Sequence, residues 1–121
     1  MSELTIILEQ IKEADSTYAA HFIGAFDGNI HEESLTELNG LLDAENHGMR
    51  FIFDFSKLNF LNSYGIGRLV EWQQKVGQKE GQIIIVGLNS SVKEILTLVG
   101  VSNLFKVFEN VQDAVESLRN Q

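Results

Sequence analysis

The sequence predicts a single α/β domain over residues 1–121: a mostly parallel five-stranded sheet with an N-terminal antiparallel hairpin strand, and four helices. Three observations carry this. Short apolar runs alternate along the chain with segments of helical periodicity, the pattern of strands joined by helical crossovers. Two of those runs, Arg50–Phe55 and Gln82–Val86, are compact and apolar, as in strands buried on both faces. The length, 121 residues, suits one domain that can bury enough surface to fold without disulfides.

The first strand is expected at Leu4–Ile11, which is β-rich and alternates in part. The polar stretch Glu13–Thr17 turns the chain into a second strand, Tyr18–Phe26, and runs joined so closely pair as a hairpin. A helix over Ile30–Glu45 sets Leu35, Leu38, Leu41 and Leu42 on one face, with Asn29 as its cap and Glu32 at capping-box spacing. After the strand Arg50–Phe55 comes a second helix, Ser63–Lys79. The strand Gln82–Val86 precedes a third helix, Val92–Val99, which has Ser91 and Glu94 at capping-box spacing and a stop at Gly100. A weaker strand, Leu104–Phe108, and a helix after Asn110, Val111–Leu118, complete the order β-β-α-β-α-β-α-β-α. Helices between successive strands imply right-handed crossovers and parallel pairing, so only the first hairpin must be antiparallel.

Composition excludes several classes of function. The formal charge is −8, and it is uneven: residues 1–47 hold ten acids and one base, the remainder seven acids and eight bases. A nucleic-acid binder would need clustered Lys and Arg to meet phosphates, so none is expected as partner. The chain has no Cys, which removes disulfides, thiolate metal sites and cysteine nucleophiles. Its three histidines, His21, His31 and His47, lack metal-ligand spacing. The acidic start resembles no signal peptide, and no run of about 18 apolar residues occurs, so a cytoplasmic protein without membrane contact or cofactor is expected.

In open α/β sheets, ligands and partners meet loops beyond the carboxyl ends of the parallel strands. Two such loops stand out: Phe26-Asp27-Gly28-Asn29 before the first helix and Leu61-Asn62-Ser63-Tyr64-Gly65-Ile66-Gly67 before the second. Asn62 suits a helix cap, which puts Ser63 at the first helical position, beside unpaired N–H groups at the positive end of the helix dipole. A phosphate there would be stabilised by those donors. Gly65 and Gly67 each cost roughly 1 kcal/mol against Ala within a helix, so close approach to a neighbouring backbone or a partner is their expected use. Plain capping and plain packing explain the same residues, and the sequence alone leaves both readings open.

The second helix carries a further clue. At about 100° per residue, Ile66, Leu69, Val70 and Val76 share a sector about 120° wide, the expected buried face. Tyr64, Arg68, Trp72, Lys75 and Lys79 share about 80° on the opposite side, an aromatic and basic ridge of the residue types enriched at binding hot spots. A solvated face, or aromatics tucked under a loop, is the alternative. Enzyme motifs are wanting: Gly65-Ile66-Gly67 lacks the third glycine of a dinucleotide fingerprint, and Asn-Ser-Tyr-Gly is no nucleophile elbow.

The run Phe51-Ile52-Phe53-Asp54-Phe55-Ser56-Lys57-Leu58-Asn59-Phe60-Leu61-Asn62-Ser63-Tyr64-Gly65-Ile66-Gly67 resembles the core of STAS domains, the anti-sigma factor antagonist family. There an apolar strand ends in Asp-Leu-Ser, and Asp-Ser-Ser/Thr-Gly-Leu-Gly opens a helix. Gly24-Ala25-Phe26-Asp27 is similar to the family's Gly-x-Leu-Asp, and Leu98-Val99-Gly100-Val101-Ser102-Asn103-Leu104-Phe105 to its Leu-Thr-Gly-Leu-x-x-Leu-Phe. Asn62 stands where Asp is common, and Tyr64 where a small residue is. The resemblance implies a bacterial, non-enzymatic switch protein, a monomer or weak dimer. Its partners would be an anti-sigma factor that is also a serine kinase, and a phosphatase. It implies phosphorylation at Ser63 and partner docking at Asp27; with the two loops and the ridge of the second helix added, the expected partner contacts are Asp27, Gly28, Asn29, Asn62, Tyr64, Gly65, Arg68 and Trp72. A STAS module that only scaffolds, or one that binds a nucleotide or small ligand, is the alternative.

Overall fold

The structure is a computed structural model and describes residues 3–120. Strands β1 (Thr5–Gln10) and β2 (Thr17–Phe26) form the antiparallel hairpin, with Thr5 opposite Ile23 and Gln10 opposite Tyr18. Helix α1 (Glu32–Leu42) leads to β3 (Arg50–Leu61), and α2 (Ser63–Gly77) leads to β4 (Gln82–Val86). Helix α3 (Ser90–Leu98) and a 3-10 turn at Ser102–Leu104 lead to β5 (Lys106–Phe108), and α4 (Val111–Arg119) follows. The sheet order is β1-β2-β3-β4-β5, parallel after the hairpin, as the alternation of runs predicts.

The chain steps across the sheet in one direction, so crossovers of one hand lay α1, α2 and α3 on the same face. The main core lies there. Phe22, Phe26, Phe53 and Phe55 of the sheet meet Leu38 and Leu42 of α1, Leu69, Trp72 and Val76 of α2, and Val92 and Leu96 of α3. Helix α4 returns over the second face, where Ala114 and Leu118 pack with Ile11, Ala19, Ile52, Ile84 and Val86. Its nine residues span only about 13 Å, too short to cover that face from end to end. Ile7 and Phe60 accordingly remain 51% and 48% exposed.

Several boundaries differ from the sequence reading, each for a local reason. Strand β3 runs on to Leu61 because the ten-residue β2 still offers partners, and two register shifts keep the pair in contact as far as Phe26 opposite Leu61. Asn29 does not cap α1. Leu4 forms an isolated parallel bridge with Ile30, its N–H donating to Asn29 O at 2.8 Å and its carbonyl accepting from His31 N at 2.9 Å. The chain is therefore extended through Ile30, and the helix starts later, with His31 at its N-cap. Helix α3 starts earlier than the Ser91–Glu94 capping box suggests, because Asn89 is its cap and accepts from Val92 N at 2.8 Å. At the sheet's edge, Ile6 N donates to the buried Ser34 Oγ at 3.1 Å, so α1 closes part of β1's outer rim.

Candidate functional site

The last paired residues of β2 and β3, Phe26 and Leu61, bring the two candidate loops side by side. Asn62 N donates to Phe26 O at 3.3 Å, which fixes the turn into α2. The Asn62 carboxamide then works in both directions. Its Oδ1 accepts from Tyr64 N at 3.0 Å and Gly65 N at 3.4 Å, capping the helix, and its Nδ2 donates to Asp27 O at 3.5 Å. An aspartate in this place could cap but could not donate, so the asparagine couples the helix start to the neighbouring loop. Ser63 follows as the first helical residue and is exposed.

The neighbouring loop is set by Asp27, whose Oδ1 accepts from Asn29 N at 3.2 Å, and by Gly28 at φ +108°, a left-handed value that glycine adopts without strain. Tyr64 lies over this loop. Its ring meets Phe26 edge-on at 6.2 Å, and a Cβ on Gly28 would touch it at 3.7 Å. The tyrosine stays 40% exposed, so Asp27, Gly28, Asn29, Asn62, Ser63 and Tyr64 form one end of the molecule. Of the two glycines, only Gly65 makes the expected close approach: a Cβ there would stand 2.7 Å from Phe26 O. Gly67 has nothing within 4 Å and is exposed. One helical turn from Ser63, it leaves a flat spot beside the serine.

The ridge on α2 is corrected. Trp72 is fully buried and stacks on Phe26 at 5.8 Å, with its ring perpendicular to Phe53 at the same distance. The buried face is Gly65, Leu69, Trp72 and Val76, because the missing side chain at Gly65 lets the first turn sit down on Phe26 and rotates Trp72 inward. Arg68 lies across the Trp72 ring at 5.1 Å and pairs with Glu71 at 3.2 Å, so it roofs the tryptophan rather than offering a free charge. Lys75 pairs with Asp43 at 2.8 Å, while Lys79 Nζ donates to the carbonyls of Leu42 and Ala44 at the end of α1. The Lys75 and Lys79 end of the stripe is therefore a seam between the two helices, with cations at the carboxyl end of α1.

One cluster escaped the sequence reading. His21 on β2 places Nε2 2.9 Å from Glu9 Oε1 on β1 and Nδ1 2.7 Å from Asp54 Oδ2 on β3. Partial burial lowers the His21 pKa, but the hydrogen bonds and charges of Glu9 and Asp54 outweigh it, and the net shift is upward. Burial likewise pushes the Asp54 carboxyl up, yet the bonds from the Ser56 backbone and His21 leave it below its ordinary value. The hairpin alone would have put Glu9 near His21; Asp54 requires the parallel register, which no local motif encodes. Among the described residues, no group of three or more His, Cys, Asp or Glu could hold a metal ion, and no helix is long and apolar enough to cross a membrane.

Comparison with known proteins agrees with this geometry. The unphosphorylated anti-sigma factor antagonist SpoIIAA has a similar fold, with a TM-score of 0.75 at 16% identity over 97% of this chain and 98% of that one. An anti-sigma factor antagonist from Mycobacterium paratuberculosis gives 0.77 at 18% identity, over 97% and 95%. The phosphorylated Bacillus SpoIIAA gives 0.70 at 15% identity, over 95% and 100%. At such identities the likeness is one of fold. The sequence pattern of the STAS domain matches residues 7–114, nearly the whole chain, and the chain belongs to the STAS domain family.

Proposed function

We propose that this protein is an anti-sigma factor antagonist that docks an anti-sigma factor with serine-kinase activity through the Asp27–Asn29 loop, Ser63, Tyr64 and Gly67. Reversible phosphorylation of Ser63 is the switch. The observation that carries the reading is an exposed serine at the first position of α2, joined through Asn62 to the neighbouring loop and flanked by a half-exposed tyrosine. The likeness to SpoIIAA in both its unphosphorylated and phosphorylated forms supports it at the level of fold.

The chemistry is simple. The kinase transfers the γ-phosphoryl group of ATP to Ser63 Oγ; ADP leaves and the hydroxyl gives up its proton. About −1.5 to −2 charges then appear at the middle of the docking surface. The nearest helix donors, Tyr64 N and Gly65 N, are already taken by Asn62 Oδ1. A phosphate must compete with that cap or stay in solvent, and in both cases a partner packed on Ser63 is displaced. If the phosphate wins the amides, Asn62 is freed and its bond to Asp27 O is lost with it. A loss of about 1.4 kcal/mol weakens binding tenfold, so one such change suffices for a switch. A phosphatase resets the serine.

The test is calorimetric binding to an anti-sigma factor of the ATPase type, with the modified residue mapped by mass spectrometry. Ser63→Asp should weaken binding at least about tenfold, and Ser63→Ala should bind but resist ATP-dependent release. Equal affinity for wild type and Ser63→Asp, or phosphate on another residue, would sink the reading. The competing scaffold reading relied on a Tyr64–Trp72 ridge, and the burial of Trp72 removes one of its two aromatics.

A further inference from the structure

Strand β1 is fastened at both ends. At its start, Leu4 is bonded to Asn29 and His31, and Ile6 N to Ser34 Oγ, so β1 pins the segment that follows Asp27. At its far end Glu9 is tied to His21, which also holds Asp54 on β3. Both acceptors are carboxylates, so both ring nitrogens must carry protons, and only the imidazolium form supplies two donors. A neutral ring has a single N–H. Whichever carboxylate faces the bare nitrogen then meets a lone pair instead of a proton.

The two carboxylates would not share that loss equally. Asp54 is further held by Ser56 N, which donates to its Oδ1 at 3.0 Å, and its side chain is 17% exposed. Glu9 is 58% exposed and free to swing away into water. The bond that breaks is therefore the one holding β1. Glu9 on β1, and Asp54 and Lys57 on β3, are the charged groups facing His21. The shallow depression over its ring is lined from β1, β2 and β3, and α4 supplies none of the described lining.

We propose that Glu9, His21 and Asp54 form a pH-sensitive strap: protonated His21 clasps β1 to the sheet, and loss of its proton loosens β1 and the Asp27–His31 segment that β1 pins. Against partial burial, the hydrogen bonds and charges of Glu9 and Asp54 move this transition above the ordinary value of His21. The consequence for docking rests on the function proposed above, since the loosened segment is one side of that surface. The loosening itself is a property of the isolated chain.

Amide hydrogen exchange tests it without a partner. Rates at pH 6 and pH 8.5 are each divided by the intrinsic rate at that pH, while the His21 ring is followed by NMR. Protection of the Leu4, Ile6 and His31 amides should fall about three- to tenfold between the two pH values. The Ile84 and Ile85 amides of β4, on the other side of β3, should not follow. Glu9→Gln should abolish the response, because a carboxamide accepts from a protonated nitrogen and donates to a bare one. Glu9 is exposed, so this variant keeps the fold. An equal pH response in Glu9→Gln, or His21 titrating in the wild type with protection unchanged, overturns the strap. Either result leaves the Ser63 switch standing, and a failed switch leaves the strap standing.

Discussion

Gly65 and Gly67 stand two residues apart in α2, and alanine in their places is expected to act in opposite directions. At position 65 the new Cβ would fall 2.5 Å from Leu61 Cδ1 and 2.7 Å from Phe26 O. The leucine can rotate away. The carbonyl cannot, because it accepts from Asn62 N and belongs to a residue whose ring is packed on Trp72. A carbon–oxygen contact needs about 3.3 Å, so the first turn must lift by about half an ångström. Overpacking of this kind costs about 1–3 kcal/mol, against at most about 1 kcal/mol of helix propensity gained. At position 67 the methyl group meets nothing, and only the gain of about 0.5–1 kcal/mol remains. With about 4 °C per kcal/mol for a chain of this size, Gly65→Ala should lower Tm by several degrees and Gly67→Ala raise it by about 2–4 °C. Thermal and urea unfolding followed by circular dichroism measure both. Shifts of the same sign, or an unchanged Gly65→Ala, would refute the tight seat of α2 on Phe26. Gly67→Ala also probes docking: a more stable protein that binds its partner more weakly would mean the glycine is kept for the flat spot beside Ser63.

The single tryptophan, Trp72, should emit at short wavelength and resist acrylamide quenching in the folded protein, and Trp72→Ala should cost about 3–5 kcal/mol in urea unfolding. A quenchable, solvent-like emission would contradict its burial. Stability should also depend on pH through His21 and Asp54. The raised His21 pKa contributes stability that is complete below about 6.5, its unfolded value, and is lost as pH rises through the folded one. The lowered Asp54 pKa contributes above about 3.8 and is lost as pH falls through its folded value. The wild-type urea midpoint, taken relative to His21→Gln, should therefore be highest between these limits. A difference that grows from pH 6 to pH 8.5 would contradict the sign.

Much of the fold was legible because it is written in local periodicity. The compact run Gln82–Val86 is a strand as its shortness and β-branched content suggest, and Asn62 and Asn110 cap their helices through side chains that need only the next few amides. Local signals failed where tertiary pairing overrode them. Asn29 has the chemistry of a cap, but the bridge from Leu4 holds its neighbour extended. Lys79 reads as a solvated cation until α1 and α2 are laid side by side. Trp72 stands on the helical wheel between Arg68 on one side and Leu69 and Val76 on the other, and the close seat of the first turn at Gly65, itself visible as an odd glycine, brings that edge of the helix onto the sheet. The candidate site was legible as two loops; their union depends on Phe26 facing Leu61 after two register shifts, and no motif records that register.

The contact between Tyr64 and Gly28 has an evolutionary reading. Tyr64 belongs to the first turn of α2 and Gly28 to the facing loop, yet a Cβ at 28 would already touch the ring at 3.7 Å, and the backbone there turns through a left-handed φ. They should therefore change together across relatives. Lineages with a bulky aromatic after the residue matching Ser63 should keep glycine in the facing loop. Those with a small residue there can accept asparagine or aspartate, the side chains best suited to that backbone. If this end of the molecule docks a partner as proposed, a family divided in this way would possess two versions of that surface, each legible to its own partner, and duplicated circuits in one cell could be kept from crossing by this single pair.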